Sequence, residues 1–274
     1  MVLTLVMRVN LLNVIIHNIT MVELLENLRV GGVVFTPNVD HVMKLQKNQD
    51  FYLVYQEADY IVCDSKVLMY VCGFLKTPIQ EKISGSDLFP AFYNYYQHDE
   101  NIKIFLLGAE VEVVKMAQEK INSKVGRDII IAAYSPSFGF EKNEDECQEI
   151  VKLINSSEAT VLAIGVGAPK QEMWIAKYKK QLKNVKIFLA IGATINFEAG
   201  NIKRSPNWMS EVGLEWLYRL LSEPKRLWKR YLLDAIPFIW LIVKQRFQLY
   251  ENPWTVKQTK ENSLVSLIKS IIKM

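Results

Sequence analysis

The sequence predicts an α/β protein: a mainly parallel sheet in two halves, followed by a helical appendage. Three observations predict it. Short apolar, β-branched runs alternate with polar stretches of helical spacing as far as residue 199, the pattern of a parallel sheet covered on both faces. After Ala199 the strand-like runs stop, and Pro206, Pro224 and Pro237 divide the rest of the chain into short helices, because proline is accepted in a first turn but not mid-helix. The charge changes at the same place. Residues 1–200 carry 20 basic and 23 acidic side chains, residues 201–274 carry 13 and 6, and five of the six Trp lie beyond residue 200.

Taken in order, the apolar start MVLTLVM is cut short by Arg8 and Asn10 and reads as a strand. It lacks the basic flank and small-residue cleavage site of a signal peptide. Strands are expected at Gly32–Phe35, Tyr60–Cys63, Lys103–Leu107, Asp128–Ala133, Thr160–Val166 and Lys186–Ile191. Helices are expected at Val39–Glu57, Ser65–Leu75, Ser86–Gln97, Glu112–Lys124, Asp145–Asn155 and Lys170–Leu182. The charged bridge His98–Asn101 divides the two halves. Ser222 ahead of Glu223-Pro224 reads as a helix start, and Ser263–Lys273 has the spacing of one more amphipathic helix.

Composition excludes several classes. Half of the 274 residues are hydrophobic and 23% are charged, which fits a globular chain and not a disordered one. Three Cys (Cys63, Cys72, Cys147) form no CxxC pair and no disulfide framework, pointing to a reducing compartment. The apolar run Tyr231–Val243 contains Asp234 and Pro237 and is shorter than the roughly 20 residues a spanning helix needs. His17, His41 and His98 are far apart, no His/Cys cluster has ligand spacing, and there is no Asp-x-Asp pair, so no metal cofactor is expected. GxSxG and GxxxxGK[ST] are absent. With a net acidic body and no recognition module, nucleic acid is a poor partner.

Ligands of open parallel sheets bind at the carboxyl ends of the strands. Those ends carry Thr36-Pro37-Asn38, Asp64-Ser65-Lys66, Gly165-Val166-Gly167-Ala168-Pro169-Lys170-Gln171 and Ala193-Thr194-Ile195-Asn196, with Gly108 after FLL. Asp64 has two readings: an N-cap for the next helix, or a general base at the ligand edge. Gly165 and Gly167 enter a helix through a glycine turn that would admit a diphosphate to exposed N–H groups, or that packs strand against helix. Lys170 stands where GxGxxG has its third glycine, so the dinucleotide fingerprint is missing.

In the basic segment, Arg226, Lys229 and Arg230 share one helix face at i, i+3 and i+4, with Leu227, Trp228, Tyr231 and Leu232 as apolar neighbours. Arg219 lies on the preceding helix. Either this is a solvated basic face over a packed apolar one, or it meets anionic phosphate groups or a membrane surface.

TPNVDH (36–41), ISGSDLFP (83–90), FLLGAE (105–110), GVGAPKQEMWI (165–175) and EAGNIKRSPNWMSEVGLEWLYRLLSEPKRLWKRYL (198–232) resemble the WecG/TagA/CpsF glycosyltransferases, glycosyltransferase family 26, from about Val33 to Leu232. The resemblance implies two Rossmann-like halves of GT-E type within an α/β catalytic core at 1–199 (about 1–98 and 101–199). It also implies a helical, membrane-associated appendage at 200–250; 251–274 is not covered. It implies inverting, metal-independent transfer from a UDP-sugar to a polyprenyl-diphosphate-linked sugar, on the inner face of a bacterial membrane, in surface polysaccharide or teichoic acid synthesis. Asp64 falls at the family's base, and Thr36, Asn38 and Gln171 at its pocket. Arg219 and Arg226, with Lys229 or Arg230, align with basic residues that meet the acceptor diphosphate. Lys170 and Lys82 are further sources of positive charge for the leaving diphosphate. Ser65 replaces the usual glycine after the base, and Asn196 a usual aspartate; N-acetylmannosamine, its uronic acid and glucose all occur as family donors. A homo-oligomer is left open. The competing functions are a nucleotide-binding regulatory module and a peripheral membrane adaptor.

Overall fold

The computed structural model describes residues 7–202, 204–206, 209, 212–222 and 224–255; the side chains of 219, 222 and 225–232 fall outside that description. Of the expected strand MVLTLVM only Met7 is described, and the strand does not stop at Arg8 and Asn10 but runs through both, which pair with His17 and Ile15; the expected helix Ser263–Lys273 lies outside the described residues. The chain opens with an antiparallel hairpin, β1 (Met7–Leu11) and β2 (Val14–Asn18). Its tight turn places Leu12 at φ 51, a conformation unusual for leucine. That turn is held from outside: Leu12 N donates to Gln245 Oε1 (2.9 Å) and Asn13 Nδ2 to Leu45 O (2.8 Å).

The centre is one six-stranded parallel sheet in the order β4-β3-β8-β7-β5-β6. Its strands are β3 (Gly32–Phe35), β4 (Tyr60–Ile61), β5 (Ile104–Gly108), β6 (Ile130–Tyr134), β7 (Val161–Gly165) and β8 (Ile187–Ala190). The bridge at 98–101 marks no break in it, because β8 pairs with β3 (Gly32↔Ile187, Val33↔Phe188). Near-continuous apolar strands such as Ile104-Phe105-Leu106-Leu107 bury both faces. Phe105, Leu107, Leu162, Ile164 and Phe188 enter one core layer; Ile104, Leu106, Val161, Ala163 and Ile187 enter the other.

The first layer is covered by the hairpin, α2 (Val39–Lys47), α3 (Gln49–Tyr55), α4 (Lys66–Phe74), α7 (Glu144–Ser156) and α8 (Lys170–Tyr178). The second is covered by α1 (Met21–Asn27), α5 (Gly85–Tyr95), α6 (Val111–Val125) and α9 (Thr194–Ala199). The single helix expected over Val39–Glu57 is in fact two. Asn48 is extended (φ −124, ψ 108); its amide donates to Lys44 O (2.8 Å) and its Oδ1 accepts from Phe51 N (3.0 Å), ending α2 and starting α3 at one residue.

Beyond the sheet lie α10 (Glu215–Ser222) and α11 (Pro224–Arg246). Pro224 opens α11, as expected of proline in a first turn. Pro237 does not divide the segment; it lies inside a continuous helix of 23 residues. An interior proline costs about 3 kcal/mol, and burial of Phe238 and Ile242 in the first core layer opposes that cost. Lys47 pairs with Asp234 (2.7 Å) and Trp254 Nε1 donates to Leu45 O (2.7 Å), fastening this region to α2. Leu233, Ile236, Ile239 and Trp240 of α11 stay exposed, and Ile239 lies beside exposed Tyr70 and Phe74 of α4.

Candidate active site

The strand order brings the carboxyl ends of β4, β3, β8, β7 and β5 side by side. Along that edge stand Asp64, Thr36 to Asn38, Gly192, Gly165 to Gly167, and Gly108. The chain leaves β5 toward β6 on one side and β7 toward β8 on the other, the change of direction at which open parallel sheets bind their ligands.

Asp64 is half-buried in the loop from β4 to α4. That loop is pinned on two sides: Asp64 N donates to Pro37 O (3.1 Å), and Ile83 N to Cys63 O (2.7 Å). The N-cap position of α4 falls on Ser65, which makes no side-chain capping bond. The capping reading of Asp64 is thereby corrected: Asp64 sits one residue earlier than the N-cap. Beside it, Thr36 is buried, and Asn38 caps α2 by accepting from His41 N (3.3 Å). Asn38 is thus first a helix cap.

The three strand-end glycines are in backbone contact. Gly108 has φ +132, and a Cβ there would lie 2.6 Å from Gly165 O; a Cβ on Gly165 would lie 2.6 Å from Gly192 O. These two glycines serve close strand packing. Gly167 differs: a Cβ there would meet nothing within 4 Å, and its φ of +85 is what calls for glycine.

Gln171 is buried and fully engaged. Its Oε1 accepts from Gly167 N (3.2 Å) and Gly192 N (3.1 Å), and its Nε2 donates to Glu172 Oε1 (2.8 Å). It ties two loops together. Lys170 pairs with Glu141 (3.1 Å), its Nζ 4.9 Å from the Phe138 ring centre. Asn196 accepts from Asn201 Nδ2 (3.3 Å) in the turn after α9.

Lys82 lies in the loop just before α5, paired with Asp87 (2.9 Å). Asp87 also accepts from Ser84 Oγ (2.6 Å) and Arg204 (2.5 Å). Burial works to raise its pKa, but the bonds from Ser84, Lys82 and Arg204 prevail and hold it at about 2. Gly85, in the same turn, packs against Ile191 at the end of β8, bringing this cation pair toward the strand ends. Arg219, Arg226, Lys229 and Arg230 fall on α10 and α11, and their side chains lie outside the described residues.

Arg204, Asp87 and Glu172 were not singled out by sequence reasoning. Arg204 and Asp87 stand within the blocks that carry the resemblance, but spacing cannot bring together residues 117 apart. Glu172 is wholly buried, and burial raises its carboxyl to about 7 against the opposing bond from Gln171. Close by, Lys44 pairs with Asp40 (2.8 Å) and donates to Ala168 O (3.0 Å), and His41 Nδ1 meets the Tyr55 hydroxyl (2.6 Å).

The profile of the WecG/TagA/CpsF glycosyl transferase family matches residues 9–252. The chain belongs to that family. Relatives of the WecG/TagA/CpsF chain occur in Staphylococcus aureus strains MW2, NCTC 8325 / PS 47 and MRSA252. Each is 28% identical over 248 residues, covering 87% of this chain and 93% of the relative. Each is named an N-acetylglucosaminyldiphosphoundecaprenol N-acetyl-beta-D-mannosaminyltransferase. Among the described residues of this WecG/TagA/CpsF glycosyltransferase, no group of three or more His, Cys, Asp or Glu is arranged to hold a metal ion. No described helix is long and apolar enough to cross a membrane.

Proposed function

We propose that this glycosyltransferase moves a hexose of the N-acetylmannosamine type from a UDP donor onto a polyprenyl-diphosphate-linked sugar, with inversion and without a metal cofactor. The relatives' name, matched over 87% of the chain, favours N-acetylmannosamine over glucose and an N-acetylglucosamine-capped undecaprenyl diphosphate as acceptor. Surface polysaccharide or teichoic acid synthesis is the pathway class such an acceptor serves.

One observation carries the mechanism: Asp64 stands half-buried at the strand-end edge, in the loop from β4 to α4 that follows the family's motif order. In the reaction Asp64 takes the proton of the acceptor hydroxyl as that oxygen attacks the anomeric carbon in line. The bond from the anomeric carbon to the UDP oxygen breaks, and the electron pair leaves on the diphosphate. Positive charge must meet it. Lys82 and Arg204 share Asp87 beside Gly85, which packs on Ile191 at the end of β8, and Arg219, Arg226, Lys229 and Arg230 are the candidates for the acceptor's diphosphate. Thr36 and Asn38 line the base's side of the pocket, while Gly108, Gly165, Gln171 and Asn196 shape its walls and Lys170 flanks the glycine turn. The exposed apolar side chains of α11 and α4, with Lys244 beside Trp240 (5.6 Å), support docking on the cytoplasmic membrane surface.

The test is UDP release from a panel of UDP-sugars with a short-chain lipid-diphosphate N-acetylglucosamine acceptor, with and without excess EDTA. Turnover with UDP-N-acetylmannosamine, unchanged by EDTA, is expected. Asp64→Asn should cut turnover roughly 10²–10⁴-fold with little change in UDP affinity. Near-normal turnover of that variant removes Asp64 as base; activity lost to EDTA and restored by manganese or magnesium removes metal independence.

A further inference from the structure

The Gln171 amide joins the ends of β7 and β8, yet nothing in its own backbone fixes which way that amide faces. A glutamine amide has two faces of nearly equal shape, one accepting and one donating, and only its partners choose between them. Here both loop amides, Gly167 N and Gly192 N, need the oxygen. The nitrogen must then find an acceptor in a buried place. Glu172 Oε1 supplies it at 2.8 Å, and Glu172 is itself fully buried with Oε2 unpartnered. A buried carboxyl with one oxygen unpartnered is costly, so its retention at this spot calls for a role.

We propose that Glu172 is a positioning residue: by accepting from Gln171 Nε2 it orients the Gln171 amide oxygen, which sets the spacing of the Gly167 and Gly192 loops around the donor's diphosphate. The identity of that ligand rests on the proposed transferase function; the orientation of the loops does not. The groups facing Glu172 are Asp40 and Lys44 of α2, Tyr55 of α3, whose hydroxyl meets His41, and Gln171 of its own helix. With a carboxyl that titrates near neutrality, the ionised form accepts a stronger, charge-assisted bond. The loops are therefore held more firmly above neutral pH than below it.

The experiment reads amide hydrogen exchange at Gly167 and Gly192 in the full chain, for the wild type, Gln171→Leu, Glu172→Leu and Glu172→Gln, with Leu106 of β5 as an internal control. Gln171→Leu should lower protection of both glycines about tenfold, the scale of one lost buried hydrogen bond. Glu172→Leu should do the same relative to Leu106, whose protection reports any change in global stability. Its weakening of UDP binding, about tenfold, should vanish in the Gln171→Leu background. Glu172→Gln keeps an acceptor oxygen and no titration. The extra protection that the wild type gains between mildly acidic and mildly alkaline pH, after correction for intrinsic exchange, should be missing in it. Wild-type protection of both glycines in Glu172→Leu overturns the proposal, as does an effect on UDP that persists undiminished without Gln171. If Glu172→Leu yields no folded protein, identical pH dependence in wild type and Glu172→Gln overturns it. Failure of the wild type to bind UDP would sink the transferase reading and leave the exchange result standing.

Discussion

Replacing Glu172 by Gln removes a proton-binding site from the centre of the fold and leaves its shape nearly unchanged. Burial lifts the folded carboxyl from an ordinary 4.5 to about 7. That gap is about 2.5 on the pH scale, and at 1.36 kcal/mol for each unit it amounts to roughly 3 kcal/mol. The sign follows from proton counting. Below the unfolded value both states hold the proton, and Glu172 carries no pH-dependent cost. Between the two values the unfolded chain has released its proton while the folded one keeps it, so stability falls as pH rises. Above the folded value both are ionised and the loss is complete. The assay is urea unfolding of wild type and Glu172→Gln at about pH 5 and about pH 8, at fixed ionic strength. The variant should gain most of those roughly 3 kcal/mol on the wild type across that interval, or about 6–10 °C in melting temperature. A stability difference that stays flat within about 0.5 kcal/mol between the two pH values would refute the assignment of a buried, neutral-range carboxyl.

Asp87→Asn should cost about 1–2 kcal/mol at neutral pH, discounted for its partial exposure, because it leaves Lys82 and Arg204 without their shared carboxylate. Since the folded pKa of Asp87 is depressed to about 2, that stabilisation is present above about pH 4 and lost as pH falls through the folded value, which acid titration of both proteins will show. Gly165→Ala should destabilise the protein by about 1–3 kcal/mol, since its Cβ meets an immovable carbonyl at Gly192; an unchanged melting temperature would contradict that close approach. Cys63 and Cys72 are buried with thiols pushed up to about 12 by burial, and Cys147 is buried too, so a thiol reagent at mildly alkaline pH should label the native protein only as fast as it opens. All three thiols should titrate in denaturant.

Much of the fold was legible because its signals are local. Each of the six sheet strands lies within a residue or two of its apolar run, since runs such as Phe188-Leu189-Ala190 are buried on both faces and admit little else. What escaped depends on distant partners. The hairpin turn at Leu12-Asn13 has no glycine to announce it and is held by Leu45 and Gln245. Pro237 reads as a breaker until Phe238 and Ile242 are seen to be buried on the sheet's helices. At the site, the edge residues Asp64, Thr36 and Gly167 follow from strand ends alone. The engagement of Gln171 by two glycine amides, and of Asp87 by a cation 117 residues away, does not.

The bonds from Gln245 to the hairpin also bear on how the chain is made. Leu12 meets Gln245 across 233 residues, and β3 cannot be flanked on both sides until β8 exists. At about 5–20 residues per second, a ribosome needs roughly 10–50 s to bridge that separation. During that interval the nascent hairpin and the apolar faces of α2 and α4 have no cover, and long-range parallel pairing is slow even once its parts are present. Until then the apolar residues of α2 and α4 that α11 packs against face water. A nascent chain of this kind stands to gain from being shielded until α11 has emerged and docked.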